Sequence, residues 1–418
     1  MQASLPAPVV RASPWRAVLV GLMAAAPAIS VAAISLVKAV IVLVTLALIL
    51  LARKDMTSRQ PLRGLLSPWL IVLALLAFGA SLLWTVESMP LALQAFSKHG
   101  KLLLIPLLVL LIRSPAEARI GLACYAAAEI FVLLSSYAIT AGYVAPWVPE
   151  VRAANAASVF SSYLDESIMA ACFAAMCWHL RDHWPWRGAT WVAAAIGVAV
   201  LVNVFYILPG RTGQVVALTM LTLAAWYALP RRMRWAVVLV PVLVAGVLVA
   251  SSKSFQTRLG EVVQDTKAYS TVADNTTSSG LRLDFWRTSA GAILREPLHG
   301  YGVGSWNFEY LRLSKYKIPA SERNVRNPHQ EYLLWGVELG VPGILLLLAV
   351  LGSVLRDSLN LPTPIRHALQ SVLAGGAVAC LFNSTLFDAV IGDYFCVLWG
   401  LLLGYGRSLA PPPGQASA

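Results

Sequence analysis

Charged side chains are scarce in this sequence: 12% of its residues are Asp, Glu, Lys or Arg, against 58% that are hydrophobic. A water-soluble chain of 418 residues needs a far more charged surface, so the composition excludes a soluble globular protein. Cysteine is scarce too. The five thiols (Cys124, Cys172, Cys177, Cys380 and Cys396) fall in apolar stretches without a C-x-x-C pair, which argues against a disulfide framework. The six histidines show no H-E-x-x-H or paired metal spacing, so neither a metal nor another cofactor is expected. Acidic residues are outnumbered, giving a net charge of +12. The basic residues scatter over short loops, as topology signals and contacts to membrane lipid do, and no nucleic-acid partner is expected.

What the sequence has instead is long apolar runs. Twelve segments are candidate spans: Ala17–Ala33, Ser35–Ala52, Pro68–Trp84, Lys101–Ile112, Ile120–Val144, Glu166–Leu180, Ala189–Leu208, Thr212–Leu229, Trp235–Ala250, His329–Leu355, Ile365–Leu386 and Val390–Tyr405. The expected fold is an all-α polytopic membrane protein of about 12 transmembrane helices, forming one domain over residues 1–418. No repeat relates its halves.

Loop charge sets the orientation. Sixteen Lys/Arg lie in one set of alternate loops, from Arg11 to Arg407, and four in the other: Lys98, Lys101, Arg152 and Arg211. The positive-inside rule therefore puts both termini in the cytoplasm. Residues 251–328, between spans nine and ten, form one large extracytoplasmic loop carrying eleven Lys/Arg and seven Asp/Glu.

Within this loop the stretch from Gly280 to Pro297 reads as an amphipathic helix capped by Ser279, with Leu281, Phe285, Ile293 and Leu294 on or near one face. The run GYGVGSWNF resembles a dinucleotide loop only in its glycines, since no strand precedes it. It is expected to be a turn lying flat on the membrane, with Trp286 and Trp306 at the interface. The chain re-enters apolar sequence at Asn327, where Asn327 reads as N-cap, Pro328 as first helical residue and Gln330 as the capping-box partner. His329 is thereby expected in a first helical turn, where the dipole disfavours an imidazolium.

Three outward-facing residues suit one chemistry. Arg211, after the Pro209-Gly210 turn, and Arg282, in the loop helix, offer fork-shaped donors for phosphate oxygens, and His329 offers a neutral base. Asn327, Gln330, Lys101, Arg152 and Arg287 are neighbouring candidates. Taken singly, each arginine also fits a snorkelling or solvated charge.

In order and spacing, RTGQ, then SGLRLDFW and ILREPLHGYGVGSWNF, then NPHQEYLLWGVELGVPG resemble the O-antigen ligase and polymerase superfamily, over roughly Arg211 to Gly343. Gln330-Glu331 departs from the neutral Asn or Ser more often found after the histidine. The resemblance implies a GT-C-like, metal-independent, inverting glycosyltransferase of the bacterial inner membrane, acting on the periplasmic side. Its donor would be a glycan on undecaprenyl diphosphate, held by Arg211 and Arg282. Its acceptor would be a sugar hydroxyl of lipid A–core, with His329 catalytic. A ligase is expected over a protein O-oligosaccharyltransferase, because about seventy-five residues follow Gly343. An O-antigen polymerase is the nearer alternative. From other classes, a polyprenyl-glycan flippase would use the intramembrane ionisable residues Lys38, Glu129 and Asp388, and a non-catalytic scaffold would tolerate loss of His329.

The orientation has a direct test. Cysteines introduced at Ser270 and Ser314 should react with an impermeant maleimide outside intact spheroplasts, and one at Ser58 should not; the reverse pattern refutes the topology.

Overall fold

The computed structural model describes residues 12–51, 62–143, 146–148, 157–184, 186–252, 277–314 and 324–409, with short stretches at 256–257, 260–261 and 264. Arg152, Ser58, Ser270 and much of the polar loop before Thr277 lie outside them. Among the described residues the regular elements are helices. The first half holds α1 (Pro14–Ile29), α2 (Val31–Leu51), α3 (Ser67–Ser81), α4 (Met89–His99), α5 (Leu104–Leu111), α6 (Pro115–Thr140), α7 (Tyr163–Leu180) and α8 (Ala189–Val202). The second holds α9 (Arg211–Ala228), α10 (Leu239–Ser251), α11 (Ser278–Arg295), α12 (Trp306–Leu313), α13 (Glu331–Leu339), α14 (Val341–Ser358), α15 (Thr363–Phe382) and α16 (Ala389–Leu409).

Among the described residues seven helical stretches are long and apolar enough to cross a membrane: Met89–Leu111, Pro115–Thr140, Ala189–Ile207, Arg231–Ser251, Val341–Ser358, Thr363–Phe382 and Ala389–Leu409. Three shorter apolar helices, Pro14–Ile29, Ala32–Thr45 and Ser67–Ser81, accompany them. The chain is thus an all-helical, multi-pass membrane protein. The fourth apolar segment is longer than sequence suggested. A 3-10 turn at Gly100–Leu103 joins α4 to α5, and the helical stretch begins at Met89. Gln94, Ser97, Lys98 and His99 had masked it by lowering the local hydropathy.

Helix α16 is the centre of the bundle. In its most apolar window 89% is buried, against 11% for Arg231–Ser251 at the periphery. A helix that is apolar all round belongs inside, and α16 packs against α1, α5 and α15. Gly400 lets α5 approach closely, since an added Cβ would sit 3.0 Å from the Ile105 Cα. Polar tethers fix its rotation. Lys38 pairs with Asp393 at 2.8 Å, and Tyr394 receives the Tyr125 hydroxyl at 2.8 Å while donating to the Met169 carbonyl at 3.0 Å.

The loop helix differs in detail from its sequence reading. Thr277, not Ser279, caps α11, accepting from the Gly280 N–H at 3.1 Å. Phe285, Ser289, Ala292 and Ile293 form its buried stripe at i, i+4, i+7 and i+8, and this turns Leu294 outward at 81% exposure.

The glycine run is a connector rather than a flat interfacial turn. Gly300, Gly302 and Gly304 all have positive φ, at 62°, 86° and 80°. Their segment caps the C-terminal end of α13: Tyr301 N–H donates to the Val337 carbonyl and Gly302 N–H to that of Glu338, each at 2.9 Å. It also holds the turn between α3 and α4, through Val86 N–H to the Tyr301 carbonyl at 3.1 Å and Thr85 Oγ1 to the Val303 carbonyl at 2.8 Å. Trp306 is not interfacial. It is 1% exposed, stacked on Tyr310 at 5.2 Å, and its indole N–H donates to Ser289 Oγ at 2.8 Å, which removes the penalty for burying it.

At Gly302 a Cβ would collide with the Thr85 backbone, and an L side chain at positive φ adds about 1–2 kcal/mol. Gly302→Ala should lower stability by about 2–4 kcal/mol once overpacking is included. Thermal unfolding in detergent reads this directly, and an unchanged midpoint refutes the role given to the loop.

Candidate active site

His329 does not lie in a helix. Helix α13 starts at Glu331, with Gln330 as N-cap accepting from the Leu333 N–H. Asn327 closes a turn of its own: its Oδ1 accepts the His329 N–H at 3.0 Å, and Ser384 Oγ takes the Gln330 N–H at 3.1 Å. His329 adopts φ 50°, a conformation that non-glycine residues seldom take and that clusters at functional sites. The capping box expected from sequence fails because the side chain of Asn327 satisfies its own turn, which delays the helix by three residues.

The imidazole is oriented by a residue far away in sequence. His329 Nδ1 lies 3.0 Å from Asn383 Oδ1. With an amide oxygen as acceptor, Nδ1 carries the hydrogen and Nε2 presents its lone pair. The ring is partly exposed and lies 6.1 Å from that of Phe285 on α11.

Asn383 sits in the reversal between α15 and α16, and this loop is clamped from two sides. The Glu331 carboxylate accepts the N–H groups of Leu386 at 3.0 Å and Phe387 at 3.1 Å. Lys101, 5% exposed, donates to the carbonyls of Phe387 at 3.2 Å and Asp388 at 2.6 Å. A carboxylate and an ammonium thus satisfy both polarities of a backbone that water does not reach. Lys101 therefore holds the loop. Asp388 completes the cluster: Asn327 Nδ2 donates to its Oδ1 at 3.2 Å, and His329, Lys101 and Lys98 face it. Burial raises the Asp388 carboxyl above its usual range, opposed first by His329 and then by the lysines.

The arginines approach from the Phe285 side. Arg211 opens α9, after the Gly210 N-cap. Its guanidinium donates to Ser279 Oγ at 3.2 Å and reaches Glu261 at 3.3 Å with a side chain 34% exposed. Exposed pairs of this kind are worth about 1 kcal/mol or less, so the contact is exchangeable. Arg282 lies one turn before Phe285 on α11, and burial followed by the nearby Arg211 charge lowers it from the ordinary arginine value. Tyr163, at the start of α7, faces it as well. Two guanidinium groups converging from different helices are suited to a diphosphate.

The structure therefore assembles two neighbouring groups, Arg211 with Arg282 and His329 with Asn327, Asn383 and Asp388, joined by Phe285. Gln330 is a cap and Lys101 a loop clamp. Arg287 is exposed; five residues beyond Arg282, it leaves the helix on another face. Sequence reading did not single out Asn383. The signal was there: Asn383-Ser384-Thr385 is a polar triplet between two apolar runs, with Asp388 close behind.

Glycines place Arg211. A Cβ on Gly213 would collide with Ser167 of α7, and one on Gly210 would lie 3.1 Å from the Tyr163 carbonyl. Gly213→Ala should push the first turn of α9 off α7, lowering both melting temperature and affinity for an anionic donor although no charge is removed. Unchanged donor affinity refutes this positioning.

The comparisons with known proteins cover the same region. Residues 205–348 match the family model described as O-antigen ligase, a segment that includes Arg211, Arg282 and His329. No curated protein matches the chain. Over that segment, about a third of its length, the chain is similar to the O-antigen ligase family.

Proposed function

We propose that the protein transfers an O-antigen glycan from undecaprenyl diphosphate to a sugar hydroxyl of lipid A–core. In this reading the chain is one domain of twelve spans in the bacterial inner membrane. Both termini are cytoplasmic, residues 251–328 are a periplasmic insertion, and the site faces the periplasm. The observation that carries it is the His329–Asn383 contact at 3.0 Å: it leaves Nε2 as a base beside an arginine pair.

The acceptor oxygen attacks the anomeric carbon in line with the bond to the diphosphate, and configuration inverts. As that bond breaks, its electron pair leaves with the carrier diphosphate, where Arg211 and Arg282 offset the growing charge. The hydroxyl proton passes to His329 Nε2, and the Asp388 carboxylate stabilises the imidazolium so formed. This chemistry needs no covalent enzyme intermediate and no metal.

A flippase is less well supported. Lys38 is held by Asp393 and Glu129 is enclosed at 3% exposure, so neither presents an ionisable group to an open path. Glycan transfer by purified protein in detergent micelles, where transport has no meaning, separates the two readings. A longer glycan on the carrier, with lipid A–core left unmodified, would assign the polymerase reaction instead.

The roles divide measurably. Arg211→Ala and Arg282→Ala should each raise the donor KM by about ten- to a hundredfold, the loss of one charge-assisted contact, and Lys should rescue only in part. His329→Ala should lower kcat by about two to four decades with donor KM nearly unchanged. Asn383→Ala should lower kcat by about five- to tenfold, the worth of one neutral hydrogen bond. If His329→Ala weakens donor binding and keeps kcat, the histidine is a phosphate ligand and the base lies elsewhere.

A further inference from the structure

A second set of cations gathers at the Asp388 carboxyl that His329 also faces. Lys98 of α4 and Arg326, just before Asn327, both belong to the polar cluster around Asp388. The Lys98 ammonium lies over the Phe387 ring, 4.1 Å from its centroid, and faces Asp388, Arg326 and Glu338. Among the described residues it forms no direct ion pair. Glu338 is engaged elsewhere, by His99 at 3.2 Å and the Gly304 N–H at 2.7 Å. Lys101, three residues on, commits its ammonium to two carbonyls, whereas Lys98 retains its donors. Among the described residues Arg326 has one long ion-pair contact, to Glu87 at 3.5 Å, and its side chain is 38% exposed. A ring-supported lysine and an under-used arginine beside a base form a receptor for an anionic group. The adjoining surface is apolar: Leu83, Met89 and Leu93 are 89%, 51% and 49% exposed. That combination suits an amphiphile with a charged head.

Resting on the transferase reading, we propose that Lys98 and Arg326 form the acceptor subsite, binding a phosphate or carboxylate of the acceptor glycolipid and presenting its hydroxyl to His329. Donor and acceptor then meet at the histidine from different sides, the diphosphate by way of Arg211 and Arg282.

The test uses full-length protein in micelles, with the acceptor glycolipid before and after chemical removal of its phosphates. Lys98→Ala and Arg326→Ala should each raise the acceptor KM about ten- to a hundredfold, leaving the donor KM within about twofold. Lys98→Arg and Arg326→Lys, which keep the charge, should recover most of the loss and thereby report on folding. Removing the phosphates should weaken the wild type to the level of the variants and affect the variants little. If the wild type loses affinity only when carboxylates are also neutralised, the recognised group is a carboxylate. A KM rise that is the same for every acceptor form, or that appears in the donor instead, overturns the proposal. So does a loss restored by adding phosphatidylglycerol to the micelles, which would make the pair a headgroup site. Direct binding of a fluorescent acceptor keeps the two readings distinct. Charge-dependent binding that needs Lys98 and Arg326, in a wild type that transfers no glycan, sinks the transferase reading and leaves the subsite standing.

Discussion

Inside a bilayer, water is not available to the backbone groups that a helix leaves unpaired at each end, so every chain reversal must be satisfied from within. Buried carboxylates meet that demand here. Glu331 takes the N–H groups of Leu386 and Phe387, and Asp357 those of Leu66 and Ser67. Glu117 takes those of Ser13, Arg113 and Ser114, and Glu166 those of Val159, Phe160 and Ser161. Each carboxylate group accepts two or more backbone donors, which offsets the cost of burying it. In a chain with only 20 acidic residues, four assigned to loops are a large share, and they explain why acids persist in segments that otherwise read as membrane.

The site inherits its rigidity from this device. His329 stands outside α13 in a left-handed conformation, so the helix itself does not aim it. Its aim comes from Asn383, whose loop is held to α13 by Glu331 and to the α4–α5 turn by Lys101. The same α13 is gripped at its other end by the glycine run, where Gly302 N–H meets the Glu338 carbonyl. A short helix fixed at both ends by distant segments holds the His329 turn in one place, which is the preorganisation that the proposed reaction would require.

Much of this could be read from the sequence. Composition, apolar runs and the order of the RTG, loop and His-containing motifs were enough for the class of protein and for the family resemblance that the matched segment also carries, and they singled out Arg211, Arg282 and His329, which the fold brings to neighbouring positions. Detail failed where side chains compete with backbone. Asn327 looked like a helix cap, yet an asparagine can as readily close a turn two residues on, and local sequence does not decide between them. Trp306 looked interfacial because tryptophan often is, and only the placement of Ser289 reveals that its N–H is satisfied indoors. Asn383 escaped notice, and Asp388 was read only as an ionisable residue of an apolar stretch, because their place beside His329 arises from a reversal some fifty residues after it in the chain. Such contacts leave no period or spacing to read.

The pairing of Arg211 with Arg282 has one more consequence. The two guanidinium groups belong to α9 and α11, so like charges face each other across the junction between a helix of the bundle and a helix of the polar insertion. An anion lodged between them turns a repulsion into a bridge, and the ligand acts as a fastener between two parts of the fold. Binding energy is then shared between holding the anion and joining the two helices, and by thermodynamic linkage a tighter junction returns that energy as a tighter grip on the anion.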